Sequence, residues 1–190
     1  MDLPQAIHTA QRKHPRRKIE TWFQDEMRTG QQGTLTRQWA ERGTRLCVPK
    51  QTEYEYVYLF GAACSETGKS VALVLPESNT AMMNLFLQTM AQEVEADAHA
   101  LLVLDQAAWH HSKSLIVPEN ITLVSLPPYS PELNPMERVW AYLRSHYLAN
   151  RIYENYEAIV DAVSWAWNQF QRNEERVKTI THVPWLCTQS

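Results

Sequence analysis

Two long apolar runs constrain the fold more than any other feature of the sequence. They are "HALLVLDQA" (99–107) and "NITLVSLP" (120–127), and neither shows the regular alternation of a strand with one face in water. Continuous runs of this kind are typical of strands that are buried on both faces, as in sheets covered by helices. We therefore expect an α/β fold in which helices cover both sides of a sheet.

The segments around these runs predict the other strands of the sheet. "IETWFQDEM" (19–27) is typical of a strand, "RTGQQGT" of a turn, and "RQWAERG" (37–43) of a second, short strand. "YEYVYLFGAAC" (54–64) and "SVALVLPE" (70–77) predict a hairpin, with a glycine in the turn "SETGK" (65–69) that is available for positive φ.

Helical periodicity predicts what covers the sheet. In "NTAMMNLFLQTMAQEVEA" (79–96), apolar residues recur at helical spacing behind an N-cap at Asn79 or Thr80. Further helices are predicted near the N-terminus, ending by Pro15, and at 112–116, 131–147 and 155–171, followed by a loop-like tail. This order predicts a mixed sheet with helices on its faces.

Length and composition indicate one domain of an ordinary soluble protein. The chain has 190 residues, of which 44% are hydrophobic and 21% charged. We expect an N-terminal helix or linker over 1–18, the main domain over 19–175 and a C-terminal tail over 176–190. No apolar run approaches the roughly 20 residues that span a bilayer, and the N-terminus has no secretory signal. Three scattered cysteines fit reduced thiols, so we expect a cytoplasmic protein with no membrane partner.

The charge is distributed unevenly along the chain. Residues 1–50 carry ten Lys or Arg and five Asp or Glu, a balance of +5, and the remainder carry eight and sixteen, a balance of −8. A basic first part could bind nucleic-acid phosphates. A solvated charged surface explains the same numbers. Charge alone therefore leaves both interpretations open.

Three carboxylates stand out by their position. Asp25 is near the end of the first predicted strand, Asp105 ends a buried run, and Glu137 lies in the first turns of a helix. Ligand-binding groups collect at such strand ends in α/β sheets. The start of the helix is fixed by four prolines: Pro127, Pro128, Pro131 and Pro135.

The chemistry of these acids suggests a metal site. Carboxylate oxygens are ligands that Mg²⁺ prefers, and two such ions can clamp the attacking and leaving oxygens of a phosphoryl displacement. Each acid also has a structural interpretation, since Asp often starts a loop and Glu early in a helix favours the dipole. Glu132, beside Pro131, is explained as a capping group. The residues alone leave both interpretations open.

Three segments resemble the motif blocks of bacterial insertion-sequence transposases of the mariner superfamily. They are "WFQDEMRTGQQGTLTRQWAERGTR", "LVLDQAAWHHSKSL" and "ITLVSLPPYSPELNPMERVWAYLR", and the resemblance extends from about residue 18 to about residue 170. It implies a ribonuclease H-like fold with a DDE triad formed by Asp25, Asp105 and Glu137. The 31 residues between Asp105 and Glu137 are fewer than is usual in the mariner branch, and Gln106 stands where relatives often have Asn or Gly.

The resemblance also implies an activity, a cofactor and partners. The activity is phosphodiester hydrolysis at transposon ends, followed by strand transfer of the freed 3′-hydroxyl into target DNA. The cofactor is Mg²⁺ or Mn²⁺, as two ions held by the triad, and the partners are double-stranded DNA and a second copy in a homodimer. Such a protein associates with the bacterial nucleoid when it is on DNA.

Two alternatives follow from the same residues. Full transposases carry helix-turn-helix domains upstream, and only 24 residues precede Asp25 here. We therefore expect either a separate DNA-binding helix-turn-helix polypeptide, or a truncated, non-catalytic remnant that dimerises with or inhibits a full-length transposase. A ribonuclease H or resolvase on the same fold would share the acids, but the third block favours transposases.

Candidate DNA contacts are the basic residues near the first two acids. Trp140, Trp165 and Trp167 could stack bases, but their helical context favours core or interface positions. The candidates for contacts to the DNA are Arg28, Arg37, Arg42, Arg45, His110 and Lys113.

Overall fold

A five-stranded mixed sheet organises the chain. The computed structural model describes residues 3–32, 41–43, 51, 53–107, 112–128 and 130–184. The strands are β1 (Lys18–Gly30), β2 (Tyr56–Cys64), β3 (Ser70–Leu75), β4 (Ala98–Leu104) and β5 (Ile121–Ser125). Their order is β3-β2-β1-β4-β5, with β1, β2 and β3 antiparallel and with β4 and β5 parallel to β1. The two apolar runs of the sequence are thus neighbouring parallel strands. β4 is buried at every position, as predicted. β5 is the edge strand and is only partly buried, with Thr122 exposed, so the expectation of burial on both faces is wrong for the second run.

Helices cover both faces of this sheet. They are α1 (Leu3–Lys13), α2 (Thr80–Glu93), α3 (Met136–Leu143), α4 (Tyr156–Gln171) and α5 (Glu174–Thr181). On one face, α2 buries Met83, Phe86, Leu87 and Met90 against side chains of the sheet. The second core lies on the opposite face, where α1, α3, α4 and α5 pack. The α/β fold with helices on both faces is confirmed.

Local signals explain where several elements begin and turn. Asn79 is the N-cap of α2, because its Oδ1 accepts a hydrogen bond of 3.0 Å from Met82 N. Asn155 and Asn173 cap α4 and α5 in the same way. The hairpin between β2 and β3 turns at Gly68 with φ of +77°, which a glycine adopts without a steric cost. The hairpin and its positive-φ glycine are therefore confirmed.

Some elements differ from the sequence expectation. β1 continues to Gly30, so Asp25 lies within the strand rather than near its end, and residues 28–30 are not a turn. Residues 113–114 form a turn where a short helix is expected, and 41–43 are not a strand, while 37–40 lie outside the described residues. The helix predicted over 131–147 is three pieces: a 3₁₀ turn (Pro131–Leu133), α3 and a π-helical turn (Arg144–Leu148).

The C-terminal part is more regular than predicted. α5 occupies a stretch expected to be loop-like, and it packs against α3, α4 and β2. Its apolar residue Val177 is buried in the core, which explains why eight residues hold a helix here. The predicted domain boundaries themselves stay a prediction. Within the described part of the chain, no helix has both the length and the apolar character needed to cross a membrane.

Candidate active site

The parallel pairing of β1 and β4 brings two of the predicted acids together. The last paired residues are Phe23 and Val103, and Asp25 and Asp105 each lie two residues further along their strand directions. Because parallel strands advance equally per residue, the two aspartates reach the same edge of the sheet. Asp105 directly follows β4 and accepts a hydrogen bond of 3.0 Å on Oδ1 from Ala107 N.

The proline-rich segment delivers the third acid through a buried asparagine. Asn134 ends the 3₁₀ turn, and its Nδ2 donates to the backbone oxygen of Gln24 at 2.9 Å. Its Oδ1 accepts a hydrogen bond of 3.1 Å from the backbone N–H of Met136, the first residue of α3. One side chain thus joins the start of α3 to β1, directly beside Asp25. Glu137 follows in the first turn of α3.

All three predicted acids line one cavity. Its volume is about 460 Å³, and its walls are formed by Asp25 within β1, the residues after β4, the proline-rich segment and the start of α3. Asp25 is partly buried, whereas Asp105 and Glu137 are exposed. The remaining lining residues are Gln106, Ala107, Leu126, Pro127, Pro128, Ser130, Pro131 and Asn134.

Asp25 is held by a tryptophan that also belongs to the core. Trp140 Nε1 donates to Asp25 Oδ2 at 2.8 Å. The indole reaches this position because Gly61, the β2 partner of Asp25, has no side chain. A Cβ at Gly61 would lie 2.7 Å from Trp140 Cη2. The ring therefore occupies space that any other residue at position 61 would fill.

Burial raises the pKa of Asp25 to about 7. The Trp140 N–H opposes this effect and lowers the pKa, because it stabilises the charged carboxylate. The negative charges of Glu26 and Glu137 raise the pKa further. With a pKa of about 7, Asp25 is therefore only partly ionised at neutral pH.

The donor set fits a divalent metal ion. Among the described residues, no group of three or more His, Cys, Asp or Glu side chains already has the arrangement of a metal site. Mg²⁺ is commonly held through one or two carboxylates, with water and substrate phosphate completing its shell. The cavity offers hard oxygen ligands of this kind.

Of the predicted DNA contacts, the three that belong to the described residues do not line this cavity. Arg28 is exposed three residues beyond Asp25 on β1, while Arg42 and Lys113 are exposed in turns. Arg37, Arg45 and His110 lie outside the described residues. All six assignments stay predictions. Glu132 lies in the 3₁₀ turn but does not line the cavity.

The sequence analysis did not identify the residues that hold the acids of the cavity in place. Asn134 and Gly61 carried no functional assignment, and Trp140 was assigned to the core, where it is indeed 1% exposed. Trp167 is buried as expected, whereas Trp165 is 45% exposed. A signal for Asn134 existed, since an asparagine between prolines is a typical side chain for bonding to nearby backbone.

Comparison with known proteins identifies relatives of this chain. A family model described as DDE superfamily endonuclease matches residues 20–160, which contain all three acids. The Sinorhizobium fredii (strain NBRC 101917 / NGR234) protein "Uncharacterized protein y4pE/y4sA" is 44% identical over 130 residues, covering 68% of this chain and 96% of that protein.

Solved structures share the fold. The mariner Mos1 paired-end complex with Mn matches with a TM-score of 0.63 and 16% identity, over 93% of this chain and 55% of the Mos1 chain. The Mos1 strand transfer complex matches with a TM-score of 0.58 and 15% identity, over 93% and 54%. The chain thus spans about half the length of the Mos1 chains. With the family match over most of its length and a ribonuclease H-like fold, this chain belongs to the DDE superfamily endonucleases.

Proposed function

We propose that this chain is the catalytic domain of a DNA transposase. It hydrolyses phosphodiester bonds at transposon ends and transfers the freed 3′ ends into target DNA. The observation that carries the proposal is the single cavity lined by Asp25, Asp105 and Glu137, which come from three separate elements. Membership of the DDE endonucleases and the likeness of the fold to that of Mos1 support it.

The three acids are proposed as the metal ligands. When bound, Mg²⁺ or Mn²⁺, as two ions, stabilises the negative charge that develops on the attacking and leaving oxygens during in-line displacement. Neighbouring side chains hold and orient these acidic ligands. Trp140 fixes one carboxylate oxygen of Asp25, and Asn134 fixes the start of the helix that carries Glu137. This chemistry requires no side-chain nucleophile.

The proposed partners follow from the same assignment. They are double-stranded DNA, as transposon ends and target, and a second copy of the chain in a homodimer. A separate helix-turn-helix polypeptide would supply recognition of the ends. The proposed location is the cytoplasm, on DNA. Mos1 is described in paired-end and strand transfer complexes, which supports a DNA-bound assembly for a protein of this fold.

Nicking of supercoiled plasmid tests the proposal. The wild-type protein is expected to nick with Mn²⁺ and not with EDTA, and both Asp105→Asn and Glu137→Gln are expected to abolish nicking. Glu132→Gln is the matched control, because it makes the same change in the same motif outside the cavity. This control should nick at the wild-type rate.

The outcomes separate the proposal from its rivals. Retained nicking by Glu137→Gln would refute the assignment of the third acid. If the wild-type protein does not nick, binding of Mn²⁺ in calorimetry would indicate a competent site that awaits a separate DNA-binding polypeptide, whereas no binding would favour the non-catalytic remnant. Preferential cleavage of RNA–DNA hybrids would favour a ribonuclease H.

A further inference from the structure

An apolar patch lies on the outer surface of α2 and of the segment that leads into β5, residues 114–120. The patch consists of Leu85, Ile116 and Val117, which are 45%, 69% and 40% exposed. Leu85 belongs to α2, and the other two belong to the segment. Exposed apolar side chains that adjoin one another are typical of surfaces that bind another protein.

Two asparagines hold this segment against α2. Asn84 Nδ2 donates to the backbone oxygen of Ser114 at 3.0 Å, and Asn84 Oδ1 accepts from Ile116 N at 2.8 Å. At the other end, Asn120 Nδ2 donates to the backbone oxygen of Ala91 at 2.9 Å. Because Asn84 and Ala91 are seven residues apart on the helix, the segment follows α2 for about 10 Å. The apolar patch is therefore fixed to the helix at both ends.

Opposite charges flank the apolar patch. Lys113 directly precedes the end that is bonded to Asn84, and Glu119 lies near the end that is bonded to Ala91. Both are exposed, and within the described part of the chain neither forms an ion pair. A surface with a positive end, an apolar centre and a negative end is complementary to itself when a two-fold axis passes through its centre. A second copy then places its negative end against the positive end of the first.

We propose that this surface is the interface of a homodimer. Ile116 and Val117 pack across a two-fold axis, and Lys113 of each protomer forms an ion pair with Glu119 of the partner subunit. The inference rests on the proposed function, in which a second copy of the chain is a partner, and it adds the surface through which the two copies meet. It also gives Lys113 a carboxylate as its contact in place of DNA.

An interface at this place leaves the candidate active site accessible. α2 packs on one face of the sheet, whereas Asp25 bonds to Trp140 of α3, which packs on the opposite face. None of the three patch residues lines the acid-lined cavity. Two copies that meet through α2 therefore leave both cavities open to DNA.

Sedimentation equilibrium of the protein without DNA or metal tests this inference. The wild-type chain is expected to exchange between monomer and dimer over about 1–100 µM, as a small interface allows. Ile116→Asp should raise the dissociation constant at least about tenfold, because it places a charge at the centre of the interface. Ile152→Asp is the matched control, since Ile152 is 52% exposed but lies outside the patch. This control should dimerise like the wild type.

A charge swap tests the two ion pairs. Lys113→Glu and Glu119→Lys should each raise the dissociation constant about three- to tenfold, because like charges then face each other at two symmetry-related places. The double variant Lys113→Glu/Glu119→Lys restores opposite charges, so its dissociation constant should return to near the wild-type value. All three variants change exposed side chains, so the fold is expected to persist.

Three outcomes would overturn the inference. They are a wild-type protein that stays monomeric over the whole range, an Ile116→Asp variant that dimerises like the wild type, and a double charge variant that dimerises no better than the single ones. Because the assay contains neither DNA nor metal, its result is independent of nicking. A monomer that nicks plasmid would refute this inference alone, and a dimer that does not nick would refute only the proposed function.

Discussion

The hydrogen bond between Trp140 and Asp25 should contribute measurably to stability. Trp140→Phe keeps an aromatic ring in the core but removes the Nε1–H that donates to Asp25 Oδ2 at 2.8 Å. Hydrogen bonds to charged groups contribute about 1.5–3 kcal/mol. The smaller ring also leaves a void beside Trp167, whose ring centroid is 6.1 Å away. We expect the free energy of unfolding to fall by about 2–4 kcal/mol in total.

A double-mutant cycle isolates the hydrogen bond from the void. The variants Trp140→Phe, Asp25→Ala and the double variant are unfolded with urea at about pH 8, where Asp25 with its pKa of about 7 is mostly ionised. The coupling energy should be about 1.5–3 kcal/mol. At about pH 5 it should be smaller, because a neutral carboxyl forms a weaker hydrogen bond.

Trp167 offers the control for this cycle. Its Nε1 donates to Gln171 at 3.0 Å and not to Asp25. Trp167→Phe should therefore show no coupling with Asp25→Ala. If the effects of Trp140→Phe and Asp25→Ala add to within about 0.5 kcal/mol, the hydrogen bond does not stabilise the site and the reasoning fails.

Two further predictions concern packing and pH. Gly61→Ala should lower the free energy of unfolding by about 1–3 kcal/mol, because the added Cβ would lie 2.7 Å from Trp140 Cη2. In urea unfolding, the same substitution should cost less in a Trp140→Phe background. An equal cost in both backgrounds would contradict the proposed contact. Burial, with the charges of His14 and Arg17, lowers the pKa of His99 to about 4. Between pH 6.5 and about 4, His99 is therefore protonated in the unfolded chain but neutral in the folded chain. The free energy of unfolding should decrease by up to ~3 kcal/mol as the pH is lowered through this range. His99→Asn should reduce this fall in urea titrations across the window, and an unchanged slope would refute the assignment.

The parts of the fold that depend on local pattern were predictable. The run that became β4 is buried at every position, and the apolar side chains of α2 at helical spacing all point into one core. α5 was not predicted because charged residues occupy most of its positions and only Val177 and Thr181 are buried. Such a short helix is stable only through packing against the rest of the protein. The 3₁₀ break at Asn134 has a local signal, because Pro135 disfavours helical backbone at the residue before it. Only the hydrogen bond from Asn134 to β1, 110 residues away in the chain, could not be predicted from the segment itself.

The candidate site shows the same division between local and distant information. Asp105 and Glu137 lie where their own segments place them, directly after a strand and in the first turn of a helix, whereas Asp25 lies within β1 rather than near its end. The role of all three as metal ligands stays a prediction. The support of Asp25 could not be predicted, because Trp140 lies 115 residues further along and reaches it only through the space left by Gly61. Burial of Trp140 is required both by the core and by its bond to Asp25. Periodicity indicates burial alone, so it cannot distinguish a tryptophan that only fills the core from one that also donates a hydrogen bond to an acid of the candidate site.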